Sequence, residues 1–88
     1  MTVKDLLNTI DKNKNIIVRQ KPISRIDSFC GMVERQRGAC GVLIASNQNY
    51  LDYEVIKTES SDDTIEIDCK ANAAQERAVI NAFYNGRM

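Results

Sequence analysis

Residues 53–68, Tyr-Glu-Val-Ile-Lys-Thr-Glu-Ser-Ser-Asp-Asp-Thr-Ile-Glu-Ile-Asp, set two runs rich in β-branched residues on either side of a polar break, Ser60-Ser61-Asp62-Asp63. β-Branched side chains are stiff at χ1 and pack well on a pleated surface. Serine and aspartate turn a chain by bonding its backbone locally. The segment therefore predicts a β-hairpin, and any fold of this chain must contain a sheet. From Asp52 to Asp68 there are seven carboxylates and one lysine. The hairpin so predicted carries a strongly negative rim.

The rest of the chain supplies helices and further strands. Thr2 with Asp5 three residues later forms a short-armed capping box, and Val3, Leu6, Leu7 and Ile10 make one apolar helical stripe. Residues 16–20, Ile-Ile-Val-Arg-Gln, read as a strand that Pro22 ends. Residues 23–47 admit two readings. In one, Ile26, Phe29, Cys30 and Val33 lie on a helix capped by Ser24 and stopped at Gly38. In the other, 28–36 and 40–46 pair as a hairpin around Gly38. Both make the apolar run 41–45, Gly-Val-Leu-Ile-Ala, a buried strand. Residues 47–49 form a turn, and 50–52 a single helical turn. Asn72 with Gln75 opens a last helix whose buried side is Ala73, Val79, Ile80 and Phe83, and Gly86 stops it. The expected fold is α+β: a small, mostly antiparallel sheet of three to five strands with two helices packed on one face. The element order is α-β-(α or ββ)-β-β-α, in one compact domain over residues 1–88.

Eighty-eight residues allow one modest core, since a chain this short buries only about 60–65% of its unfolded surface. No apolar run approaches the roughly 20 residues that span a bilayer, and no basic-then-apolar leader opens the chain. The expectation is a cytoplasmic protein without a membrane partner. The formal net charge is zero, but it is unevenly spread. Lys12, Lys14, Arg19, Lys21, Arg25, Arg35 and Arg37 face only Asp27 and Glu34 within 12–37, a net of +5, whereas 52–68 carries −6. The two blocks can solvate separate faces, pair with each other, attract a partner, or drive homo-oligomer formation at low salt.

Catalytic chemistry finds little support. Histidine is absent, which removes the usual activator of a nucleophilic thiol and a common zinc ligand. The cysteines, Cys30, Cys40 and Cys69, are odd in number and lack a Cys-x-x-Cys spacing, so they read as reduced, partly buried apolar residues. Gly38-Ala-Cys-Gly41 suggests an anion-gripping loop, but Val42 and Leu43 follow where a phosphate loop needs lysine and a hydroxyl. It reads as turn chemistry. No catalytic residue, metal site or cofactor is expected. The basic segment, with Arg19, Lys21, Arg25, Arg35 and Arg37, is the candidate surface for nucleic acid. It lacks interleaved aromatics, and the basic start of the last helix that double-stranded RNA-binding domains carry is replaced by Ala73-Ala-Gln-Glu-Arg77.

The acidic hairpin is the stronger candidate. Charge on an edge strand protects against aggregation. The same carboxylates, held on a rigid hairpin, can also occupy a cationic groove built for phosphates. Glu59, Asp62, Asp63, Glu66 and Asp68 are the expected contacts.

The opening 1–10, Met-Thr-Val-Lys-Asp-Leu-Leu-Asn-Thr-Ile, and the segment 79–86, Val-Ile-Asn-Ala-Phe-Tyr-Asn-Gly, resemble small phage-encoded type II-A anti-CRISPR proteins. The likeness covers about a third of the chain; residues 22–47 have no counterpart, and the family's acidic third helix does not follow. The resemblance implies a DNA mimic that inhibits an RNA-guided nuclease by blocking its DNA-binding surface. Asp62 and Asp63, with Glu59 beside them, match that family's acidic turn. The opening, together with 51–55, Leu-Asp-Tyr-Glu-Val, also resembles short uncharacterised proteins of phages and mobile elements in Gram-positive bacteria. The expectation is a non-enzymatic accessory protein that binds a host protein with a cationic surface. A nucleic-acid-binding module and a structural or oligomerisation domain are the alternatives.

Overall fold

Thr2 starts the chain's first element as its sequence predicts. Its hydroxyl accepts from the Asp5 amide at 3.1 Å, and the Asp5 carboxylate accepts from the Thr2 amide at 3.2 Å. This capping box satisfies two amides that a helix start otherwise leaves unbonded. The computed structural model describes residues 1–23 and 31–85. In order, the elements are α1 (Val3–Leu7), β1 (Asn15–Gln20), β2 (Val33–Ala39), α2 (Cys40–Ala45), a 3-10 turn (Asn49–Asp52), β3 (Glu54–Ser60), β4 (Thr64–Lys70) and α3 (Ala73–Asn85).

The four strands form one mixed sheet in the order β2-β1-β4-β3. The outer pairings are antiparallel and the central β1–β4 pair is parallel. Alternation along the strands sorts the two faces. Ile16 and Val18 on β1 stand beside Ile65 and Ile67 on β4, and Gln20 beside Cys69. Ile16, Val18, Ile67 and Cys69 are fully buried, and they pack with Val3 and Leu7 of α1, Cys40 and Leu43 of α2, and Tyr50, Leu51 and Tyr53. Burying one such aliphatic side chain contributes about 1.5–3 kcal/mol.

Three expectations need correction. The apolar run 41–45 is helix α2, not a strand. Cys40 and Leu43 lie one turn apart and are buried, while Val42 between them is 61% exposed, a spacing that suits a helix against a core. The helix reading of 23–38 fails at Val33, which begins strand β2; its other positions, 24–30, lie outside the described residues. The helices against the core are α1 and α2, whereas no α3 residue is buried: Ala73 and Phe83 are exposed, and Val79 and Ile80 are half-buried. The Asn72–Gln75 capping box does form, with both bonds at 2.8 Å. The stop at Gly86 lies outside the described residues.

Candidate binding surface

The register of the sheet assembles a charged face opposite the core. Arg19 on β1 stands level with Asp68 on β4 and Glu34 on β2; Ile17 stands level with Glu66 and Arg37. Lys57 and Glu59 on β3 stand level with Asp68 and Glu66. The blocks that the sequence separates therefore meet. Arg19 reaches Asp68 at 2.9 Å and Glu66 at 3.4 Å. Arg37 Nε donates to Glu34 at 3.1 Å, and Lys57 pairs with Glu59 at 3.0 Å. These bonds hold the Glu34 and Glu59 carboxyls below the usual range, each mainly through the hydrogen bond from its cation.

The structure divides the five acidic candidates. Asp68 is only 8% exposed and Glu66 is half-buried, both against Arg19. Glu59, Asp62 and Asp63 are exposed. Asp62 and Asp63 lie in the turn between β3 and β4, where the Ser61 amide donates to the Thr64 carbonyl at 2.8 Å. Lys14 Nζ donates to the Asp62 main-chain oxygen at 3.2 Å, which ties the turn to the loop after α1 and leaves the Asp62 carboxylate out of the bond.

The basic candidates are similarly divided. Arg19 and Arg37 hold carboxylates, and Arg35 Nε donates to Gln20 Oε1 at 2.7 Å. Lys21 is exposed. Arg25 lies outside the described residues.

The glycine pair does not form an anion cradle. Gly38 ends on β2 and Gly41 lies inside α2, so strand runs directly into helix. The Cys40 and Gly41 amides donate to the Lys14 and Lys12 carbonyls at 2.9 and 3.0 Å. The donors that could have gripped a phosphate are occupied by the chain itself. Burial raises the Cys40 thiol, whose sulfur lies 3.2 Å from the Leu7 carbonyl, and pushes Cys69 up to about 12. Both stay protonated at neutral pH, opposite to what a nucleophilic thiol needs. Among the described residues no three histidine, cysteine or carboxylate side chains cluster to hold a metal ion.

A cavity of about 260 Å³ lies between the end of β1, the 3-10 turn and α3, with Gln20, Arg35, Tyr50, Tyr53 and Val79 in its wall. Gln20 is 2% exposed and its Nε2 has no acceptor among the described residues. Sequence reasoning named Arg35 for its charge alone and missed Gln20 and the tyrosines. The available signal was a glutamine at the third inward position of the alternating series Ile16, Val18, Gln20.

Among the described residues no helix is long and apolar enough to cross a membrane. No family model matches this chain, nor does any curated protein or solved structure.

Proposed function

We propose that this chain is a non-enzymatic binding protein that docks on a cationic surface of a host protein, the groove of a nucleic-acid-processing nuclease being the surface it fits best. The observation that supports this reading is the β3–β4 turn. Asp62 and Asp63 project there as exposed carboxylates, Glu59 stands near them on β3, and the bond from Lys14 to the main chain steadies the turn. A fixed array of carboxylates can replace phosphates among arginines and lysines without the entropic cost of ordering a loop. The contact set is Glu59, Asp62 and Asp63. Glu66 and Asp68 support it from within by holding Arg19 between the two central strands.

The direct test is inhibition. The chain is added to an RNA-guided nuclease before its DNA, and cleavage is followed as salt is raised. Loss of cleavage that returns with salt supports the reading, because electrostatic docking weakens as ions screen it. Cleavage unaffected at low salt, by this and by other cationic nucleases, refutes it. A gel shift with DNA and RNA at low salt tests the basic segment. Three of its five residues already hold partners inside the fold, which favours no shift.

A further inference from the structure

The geometry points to a second site, for a small organic carboxylate, in the cavity at the far end of β1 from the acidic turn. Gln20 faces the core side of the sheet and is almost fully buried. Its Oε1 accepts from Arg35 Nε, and that bond fixes the amide's orientation, since a flipped amide would set two donors against each other. Nε2 is left as a buried donor with no acceptor among the described residues. Native folds rarely leave such a group unmet without a reason.

Arg35 reaches this place through a distortion of the sheet. Val18 pairs with Gln36 and Arg19 with Glu34, so Arg35 is the extra residue of a β-bulge. Bulges re-aim side chains, often beside functional sites. Here the bulge brings a guanidinium to the core-side glutamine and to the cavity wall. Tyr50 and Tyr53, each 4% exposed, and Val79 supply the apolar part of that wall. A neighbouring cavity of about 280 Å³ shares Tyr53 and Val79 and gives the space an apolar extension along α3.

These groups select a ligand class. The guanidinium and the unmet amide donor call for a charged acceptor, and a planar carboxylate matches the guanidinium fork. The aromatic and aliphatic walls call for a flat or apolar body. A bare sulfate leaves the walls unfilled, and a neutral aromatic alcohol leaves the cation unmet.

Benzoate is the probe. Proton–nitrogen spectra of the full chain are recorded through titrations with sodium benzoate, sodium sulfate and benzyl alcohol at matched ionic strength. The Gln20 side-chain amide signals are assigned by their loss in Gln20→Met, or by through-bond spectra if that variant does not fold. Saturable shifts of the Gln20 amide and of the Tyr53 backbone amide with benzoate alone, lost in Arg35→Gln, support the site. No saturable shift, an equal shift in Arg35→Gln, or an equal response to sulfate or benzyl alcohol overturns it. The outcome is independent of the acidic turn, whose residues lie at the other end of β1.

Discussion

Arg19 Nε lies 2.9 Å from Asp68 Oδ1, across the parallel pair at the centre of the sheet. The same guanidinium reaches Glu66 one strand period earlier, at 3.4 Å. Two carboxylates at successive outward positions of β4 repel each other; the Arg19 guanidinium, reaching across from β1, meets both and clasps the two central strands together. The Asp68 side chain is 12% exposed and that of Arg19 is 32% exposed, so the pair is screened less than a surface contact and more than a core one.

Arg19→Met is therefore expected to lower stability by about 1–3 kcal/mol, because it leaves the nearly buried Asp68 carboxylate without its donor. Urea denaturation at pH 7 measures the loss. Adding Asp68→Asn to Arg19→Met removes the stranded charge. The double variant should then lose less than the sum of the two single variants.

Gly38 has φ +154°, a conformation that side-chain-bearing residues avoid. The strand must turn there into α2 within two residues. A Cβ would meet Leu43 Cδ1 at an ordinary 3.5 Å, so the cost of Gly38→Ala is backbone strain and not collision. A loss of about 1–3 kcal/mol is expected, seen as a lower urea midpoint with an unchanged m-value.

Much of the fold is legible in the sequence because its signals are local. Thr2 with Asp5 and Asn72 with Gln75 mark helix starts through side chains that bond within three residues. The hairpin follows from its turn. The strand–helix choice at 41–45 was not local: five apolar residues fit either element, and the buried cluster that Cys40 and Leu43 join is built from distant α1, β1 and β4. The pairing of the two charge blocks was likewise hidden, since it depends on β1 lying parallel to β4, forty-nine positions away. The cavity depends on a bulge, and no short motif announces one.

Acid and base should weaken the fold through different groups. Backbone hydrogen bonding from Thr2 lowers the Asp5 carboxyl from its ordinary 3.8, and hydrogen bonds from Arg37 and Lys57 lower Glu34 and Glu59 from 4.5. A depressed folded value means the unfolded chain takes up protons first. This stability is present above those ordinary values and is lost as pH falls below them. Thermal melts from pH 6 down to pH 2 should show a falling midpoint, and Asp5→Asn, which removes one of these carboxyls, should make the fall shallower.

Cys69 is the main group of the alkaline limb, with Cys40, Tyr50 and Tyr53 raised by burial in the same direction. Burial raises the Cys69 thiol from 9.0 to about 12, so between those values the unfolded chain ionises while the folded chain does not. Its contribution is whole below pH 9 and disappears as pH rises toward 12. Melts between pH 8 and 11 should fall in wild type and fall less in Cys69→Val. In a Cys30→Ser background, a thiol reagent at pH 8 should label Cys40 and Cys69 only as fast as the chain opens, since both are fully buried.

The last prediction separates the surface from the scaffold. Asp62→Lys with Asp63→Lys reverses two exposed charges in a turn whose stabilising bonds use main-chain atoms: the Ser61 amide, the Thr64 carbonyl and the Asp62 oxygen. Stability should change by only about 0.5 kcal/mol, as for surface substitutions generally. The same reversal puts lysines where a cationic groove needs acceptors, so docking should fail through repulsion as well as lost attraction. Glu66→Gln with Asp68→Asn should behave in the opposite way. That variant removes both partners of Arg19 and weakens the sheet, yet it leaves the turn's carboxylates in place. Nuclease inhibition and urea midpoints, measured on both variants, sort the four outcomes. If the turn variant keeps its inhibitory strength while the Arg19-partner variant loses it at temperatures where it remains folded, the contact surface is the charged sheet face and not the turn.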